Sequence, residues 1–203
     1  KEDNYNILDI YNAYAYVYEQ TKDTTNLIAT FKEGIKKFGS EVNSKEYAFL
    51  ARLINIYINQ DNVPEAIALI EEALVESPDD CEYMKLLGSL YYEQKNEEKA
   101  IEVLKKAIDT DPTYAAAYGE LGRIFYNNAI TISNEVSEIQ DNNEYRKARE
   151  EKVKPAFLKA APYFEKALEL DPSETTYMYS LKNIYYNAED GANLERIENM
   201  LGE

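Results

Sequence analysis

The sequence predicts an all-α protein built from stacked pairs of antiparallel helices, and three features predict it. Small and apolar residues recur with a period of 34 residues, they follow helical spacing within each period, and prolines stand near its end. No segment alternates between apolar and polar residues as a half-buried strand does. The predicted fold class is therefore all-α.

The period is visible in five sets of residues. Leu53, Leu87 and Leu121 lie 34 residues apart. The same interval separates an aromatic set, two pairs of alanines and a pair of prolines: Tyr57, Tyr91 and Phe125; Ala66 and Ala100; Ala73 and Ala107; Pro78 and Pro112. Five sets that share one interval indicate an internal repeat.

Each repeat has the composition of a helical hairpin. Small residues let two helices approach closely, and apolar residues at helical spacing, as in Ile101, Leu104 and Ile108, give each helix a buried face. The pairs Asp111-Pro112 and Asp171-Pro172 end a helix, because proline cannot continue the hydrogen-bond ladder. One hairpin cannot bury its apolar face alone, so the repeats must stack.

This pattern resembles the tetratricopeptide repeat (TPR) family. Positions in a unit are numbered from its first residue. In that family the residues at positions 8, 20 and 27 are small and the residue at position 32 is proline. The unit from Cys81 to Tyr114 departs only at position 4, where Met84 replaces a large aromatic residue. Ile54 and Lys182 replace the small residue at position 8 of two other units, where looser helix contact is expected. The resemblance implies a right-handed superhelical solenoid of about five helix pairs.

The array is predicted to cover residues 1–203 as one domain. Its units span about 8–41, 47–80, 81–114 and 115–174, followed by a partial unit at 175–203. The first unit is weaker, starts at Leu8, and is separated from Tyr47 by about five extra residues around Glu41 to Lys45. Because the chain begins with Lys1, we expect a fragment or a processed product.

The fourth unit carries about 26 residues beyond the period, centred near 131–152. They are predicted to lengthen both helices, to near Ala115–Ile139 and Asn143–Leu170, with a tight turn at Asp141 and Asn142. At 1.5 Å per residue, about 13 extra residues would make this hairpin project about 20 Å. Pro155 and Pro162 should kink or break its second helix. A similar lengthened unit occurs in exported repeat proteins of Gram-negative bacteria, and this resemblance favours a periplasmic location.

Composition argues against several classes of function. The net charge of -16 argues against binding nucleic acid and favours a neutral or basic partner. The absence of histidine and the single Cys81 leave no common metal site and no Ser-His or Cys-His pair. No apolar run is long enough to span a membrane. We therefore predict no catalytic residue, no metal and no cofactor; a hydrolase using two carboxylates is disfavoured, because no pair of them lies in an apolar setting.

The resemblance also implies a groove lined by the first helix of each unit, at positions 2, 5, 9, 12 and 13. Tyrosine gives rigid contact area and asparagine can pair with a peptide backbone, so an extended peptide or protein is the predicted partner. The alternative, that these residues form only a solvated face, stays open. The predicted groove residues are Tyr16, Asn55, Asn59, Lys85, Tyr92, Arg123, Tyr126, Asn127, Asn183 and Tyr186.

A second hypothesis places the working surface on the long hairpin. Four apolar residues near its tip, Ile132, Val136, Ile139 and Tyr145, outnumber the partners expected within the hairpin. They could form a contact site for assembly, or they could simply join the two helices. A monomer would favour the groove and a homo-oligomer would favour the hairpin.

Overall fold

The computed structural model describes residues 2–38 and 48–202. Within these ranges every regular element is a helix and no strand is present, so the all-α prediction is confirmed. The chain divides into two compact units, Lys1–Glu76 and Ser77–Glu203. The extra residues predicted around Glu41 to Lys45, together with Tyr47, lie outside the described residues.

The first unit consists of two helix pairs. Its helices are α1 Glu2–Thr21, α2 Thr24–Phe38, α3 Phe49–Asn59 and α4 Val63–Glu76. Helix α1 packs against α2 and α3 against α4, while α2 also packs against α3. Phe31 of α2 and Phe49 of α3 are fully buried, with ring centroids 5.0 Å apart. The core therefore continues from one pair to the next.

The second unit contains three pairs. Its helices are α5 Cys81–Glu93, α6 Glu97–Thr110, α7 Ala115–Ser137, α8 Asn142–Ala148, α9 Lys154–Leu170, α10 Thr175–Ala188 and α11 Gly191–Leu201. Between α8 and α9 a π-helical turn spans Arg149–Val153, so residues 142–170 form one continuous arm that packs on α7.

The small residues at position 8 are required by the helix that packs on them. A Cβ on Gly88 would come within 2.6 Å of Leu104 Cγ, and a Cβ on Gly122 within 2.9 Å of the Phe164 ring. Leu104 and Phe164 both occupy position 24 of the second helix in their units. The sequence pattern therefore reports a direct contact between the two helices of a pair.

Four of the pairs share one tight turn. A residue with positive φ stands at position 15, and the N–H of position 16 donates to the carbonyl of a tyrosine five residues earlier. Position 16 is always Asp or Asn, residue types that cap the N-terminus of the following helix. The residues at positions 15 and 16 are Lys22-Asp23, Asp61-Asn62, Lys95-Asn96 and Glu189-Asp190.

The lengthened unit lacks this turn. Ala129 and Ile130 stand at positions 15 and 16, and Ala129 is fully buried within the continuous helix α7. Neither residue can cap a helix through its side chain, so α7 continues to Ser137. The turn comes later, where Asp141 Oδ1 accepts 2.9 Å hydrogen bonds from the N–H groups of Asn143 and Glu144.

The two prolines of the second arm are accommodated differently. The π-helical turn lies immediately before Pro155, and the Lys154 N–H donates to the Arg149 carbonyl five residues earlier. The wider turn replaces the usual hydrogen bond to the carbonyl four residues earlier, so that the proline ring no longer clashes with the preceding turn of the helix. Helix α9 continues through Pro162, so no break occurs there. Pro162 cannot donate a backbone hydrogen bond to Leu158, and both residues are exposed.

Candidate functional site

Tyr92 and Arg123 form the centre of the candidate site in the second unit. Position 12 of α5 is Tyr92 and position 9 of α7 is Arg123, and the guanidinium carbon lies 5.3 Å from the tyrosine ring centroid. Glu120, one turn earlier on α7, accepts hydrogen bonds from Arg123 Nε at 2.8 Å and pairs with Nη2 at 2.6 Å. A guanidinium held on an aromatic face and by a carboxylate is pre-oriented for a ligand. Both Tyr92 and Arg123 are partly exposed.

Lys85 occupies a neighbouring site on α5. Its ammonium pairs with Glu82, whose carboxylate also accepts a hydrogen bond from the Tyr114 hydroxyl. Burial opposes ionisation of Glu82, but the hydrogen bonds from Lys85 and Tyr114 outweigh it and lower the pKa of that carboxyl. Burial, and then the bond to Glu82, raise the pKa of Tyr114. The lowered pKa keeps Glu82 ionised at neutral pH, and the raised pKa keeps Tyr114 a neutral phenol.

Helix α10 presents an exposed stripe of tyrosine and asparagine. Tyr179, Asn183 and Tyr186 are separated by one helical turn each, and the tyrosines are 53% and 70% exposed. Tyr177 of the same helix lies against Gly119 of α7, where a Cβ would come within 2.6 Å of its ring. Gly119 therefore allows α10 to approach α7. The family groove positions on α5, α7 and α10 thus follow one another within the second unit.

Other predicted groove residues differ in exposure. Tyr126 is only partly exposed, because its ring packs edge-on against Phe157 at 5.7 Å between centroids, and burial raises its pKa. Asn127 is half-buried. Tyr16, Asn55 and Asn59 belong to the first unit, where all three are exposed.

The apolar residues at the hairpin tip are mostly covered. Val136 is 4% exposed, and Ile132, Ile139 and Tyr145 are half-buried. Helix α7 packs against both α8 and the π-helical turn, so the two arms of the hairpin cover one another. Val136 could contact a partner only if the hairpin opened. The contact site at the tip stays a prediction, and Val136 is its most buried residue.

A polar cluster joins the inserted arm to α10, and sequence reasoning missed it. Arg149 Nη2 donates to the Asn187 carbonyl at 3.2 Å and pairs with Glu189 at 3.3 Å. Lys154 pairs with Glu189 at 2.8 Å and with Glu150 at 2.6 Å. The bond from Lys154 is the largest effect that lowers the pKa of Glu189. Arg149 thus caps the carbonyl end of α10, where a cation also interacts favourably with the helix dipole.

Metal binding and membrane insertion find no support among the described residues. Residues 2–38 and 48–202 contain no group of Cys, Asp and Glu side chains arranged to hold a metal ion. None of the helices in those ranges combines the length and the apolar content needed to cross a bilayer.

Comparisons with known proteins agree with the repeat pattern. Residues 88–129 match the family model described as TPR repeat. No curated protein matches the chain. Within residues 88–129 the sequence is therefore similar to TPR repeats, as the resemblance predicted.

Several solved structures are similar to this chain in fold. The MamA protein is 18% identical, covers 96% of this chain and 88% of its own, and has a TM-score of 0.60. PilF of Pseudomonas aeruginosa is 16% identical, covers 96% of this chain and 75% of its own length, and has a TM-score of 0.65. YrrB, described as a TPR protein with an unusual peptide-binding site, is 14% identical, covers 94% of this chain and 82% of its own length, and has a TM-score of 0.55. At these identities the likeness concerns the fold alone.

Proposed function

We propose that this chain is a non-catalytic scaffold that binds an extended peptide segment of a partner protein along the first helices of its repeats. In the second unit the binding face consists of Lys85, Tyr92, Arg123 and the stripe Tyr179, Asn183 and Tyr186, and we call it the first-helix face. The observation that carries the proposal is the Tyr92–Arg123 pair, in which a partly exposed guanidinium is held by an aromatic ring and a carboxylate.

The chemistry of this face suits a peptide backbone. Arg123 uses Nε and Nη2 to bind Glu120, and no partner of its Nη1 group lies among the described residues, so these N–H groups are available to a peptide carbonyl. Asn183 can both donate and accept, as an extended backbone requires. The exposed rings of Tyr179 and Tyr186 offer contact area whose ordering costs little conformational entropy.

The charge of the face favours a neutral or basic peptide. Lys85 and Arg123 are each paired with a carboxylate three residues earlier on the same helix, Glu82 and Glu120. Local positive charge is therefore balanced, while the chain as a whole carries a net charge of -16. An acidic peptide would meet long-range repulsion, so we expect binding to weaken as acidic residues are added to the ligand.

A displayed library of random twelve-residue peptides tests the proposal. We expect wild-type protein to select a family of peptides, and Tyr92→Ala or Arg123→Ala to weaken binding of the selected peptides about ten- to thirtyfold, or about 1.4–2 kcal/mol. Leu158→Ala is the matched control, since Leu158 is 42% exposed on the second-helix side and should leave binding unchanged. All variants should keep the wild-type circular dichroism spectrum.

Two outcomes would contradict the proposal. One is that wild-type protein selects no peptide above background. The other is that selected peptides bind equally well to the wild type, Tyr92→Ala and Arg123→Ala, because the binding surface would then lie elsewhere. Assembly through the hairpin tip is the alternative function, but the burial of Val136 gives it no exposed apolar surface at that residue.

A further inference from the structure

The π-helical turn of the inserted arm places Arg149 and Lys154 on one side of that arm. The turn begins at Arg149, and the N–H of Lys154 donates to the Arg149 carbonyl. In an α-helix, residues five apart stand about 140° apart around the axis. In a π turn the hydrogen bond itself joins residues five apart, so the two side chains lie nearer to the same side. The wider turn therefore aligns two cations.

Both cations meet the end of α10. Lys154 Nζ lies 2.8 Å from Glu189 Oε2, and Arg149 Nη2 lies 3.3 Å from Glu189 Oε1, so each carboxylate oxygen pairs with a different cation. Arg149 Nη2 also donates to the Asn187 carbonyl at 3.2 Å. The side chains of Arg149 and Lys154 are only 24% and 18% exposed, so solvent screens these contacts less than it screens ion pairs on an open surface. The inserted arm therefore holds the last turn of α10.

This support comes from the insertion and not from the repeat. Arg149 belongs to the segment that exceeds the repeat period, so it has no counterpart in a regular unit. The turn that closes α10 is otherwise of the same form as the turns that close α3 and α5, at Asp61-Asn62 and Lys95-Asn96. Helix ends fray readily, so contacts from a second element change how firmly the last turn is held.

The last turn of α10 carries part of the proposed binding face. Asn187 Nδ2 donates to the Asn183 carbonyl at 2.8 Å, and Tyr186 directly precedes Asn187. We propose that Arg149 and Lys154 are positioning residues of this face, which hold the end of α10 so that Asn183 and Tyr186 keep one orientation before a peptide binds. Groups that are ordered in advance lose less conformational entropy on binding. This inference rests on the proposed function, because positioning matters only if the first-helix face binds a peptide.

Stabilisation of the fold alone is the alternative role of these contacts. It would lower the free energy of unfolding when the contacts are removed, without changing the affinity of the folded protein for a peptide. A positioning role changes the opening of one helical turn and the affinity together, and it acts through Asn183 and Tyr186. The two roles therefore differ in what they require of those side chains.

Hydrogen exchange followed by mass spectrometry tests the hold on α10 without any ligand. In the double variant with Arg149→Ala and Lys154→Ala, the backbone amides of residues 186–190 should exchange about tenfold faster, while those of residues 119–125 in α7 keep their wild-type rates. Lys166→Ala is the matched control, because it removes a cation of α9 that pairs within its own helix. It should leave exchange in α10 unchanged. Unchanged exchange of residues 186–190 in the double variant overturns the proposal, whether or not a peptide binds.

Peptide affinity tests the consequence, with the twelve-residue peptides that the wild-type protein selects from the displayed library. The double variant should bind them about fivefold more weakly, and Lys166→Ala should bind them as the wild type does. In a protein that already carries Asn183→Ala and Tyr186→Ala, the same two substitutions should weaken binding by less than about twofold, because they act through those side chains.

The outcomes separate this proposal from the function on which it rests. Equal binding by the double variant and the wild type overturns the positioning role, as does a full fivefold loss in the background that lacks Asn183 and Tyr186. Either result leaves the proposed function standing, because the wild type still binds its peptides. Failure of the wild type to select any peptide would refute the proposed function, and the positioning role would fall with it.

Discussion

Replacing Gly122 with alanine tests the close contact on which the repeat period depends. The new Cβ would lie 2.9 Å from two carbon atoms of the Phe164 ring, whereas unstrained carbon atoms lie about 3.5–4.0 Å apart. Phe164 is 4% exposed and its ring also contacts Tyr177, so it has little room to move. Overpacking of this kind costs about 1–3 kcal/mol, and alanine returns about 1 kcal/mol in helix propensity. We expect a net loss of up to about 2 kcal/mol.

Urea denaturation followed by circular dichroism measures this loss. The midpoint should fall while the slope of free energy against urea stays constant, as a change in native stability alone requires. A double-mutant cycle with Phe164→Ala then isolates the contact. Because alanine removes Cγ and the ring atoms that the new Cβ would meet, Gly122→Ala should cost less than half as much in that background.

Gly191→Ala is the control for helix propensity. Gly191 is the first residue of α11, and a Cβ there would meet no atom within 4 Å. Its replacement should be neutral or stabilising by up to about 1 kcal/mol. The reasoning is refuted if Gly122→Ala gains as much stability as Gly191→Ala, or if its effect is unchanged in the Phe164→Ala background.

Two further substitutions probe the core and the polar cluster. Leu87 is 4% exposed, so Leu87→Asp should lower the free energy of unfolding by several kcal/mol through an unpaired buried charge, measured in the same urea experiment; an unchanged midpoint would contradict the packing. The pKa of Glu189 is lower in the folded protein than its ordinary value of 4.5. Its ion pairs therefore stabilise the fold fully above pH 4.5, and this stabilisation is lost as the pH falls through the pKa of the folded state. Glu189→Gln should therefore lose less stability than the wild type between pH 6 and pH 3 in urea titrations; equal losses would show that its pairs contribute nothing.

The pairing of helices was predictable because it depends on short contacts within one unit. Gly88 and Gly122 stand at position 8 because Leu104 and Phe164 occupy the facing position of the second helix. A contact of this kind repeats with the sequence and is visible as a period. The turn inside each pair also left a signal, the Asp or Asn at position 16, but the positive-φ residue before it is never glycine in these turns. These turns therefore lack the glycine that commonly marks a left-handed residue at the end of a helix.

The candidate site was predictable only in part. Family positions placed Tyr186 and Asn183 on an exposed face because exposure follows from helical register. They did not reveal that Tyr126 packs against Phe157, since that contact involves the lengthened arm, which has no counterpart in the other units. The register of an insertion cannot be obtained from a repeat that lacks it.

The Arg149 cluster changes how the long hairpin should be understood. The hairpin does not simply extend from the array, because Arg149 caps the last turn of α10 and Lys154 pairs with Glu189 at its end. Deleting residues 131–152 would remove that cap together with the hairpin tip, and would expose carbonyl groups at the end of a helix that carries Asn183 and Tyr186. Loss of a partner after such a deletion would therefore not place the binding surface on the hairpin. Substitution of Arg149 alone, with the hairpin intact, separates damage to α10 from loss of a hairpin contact.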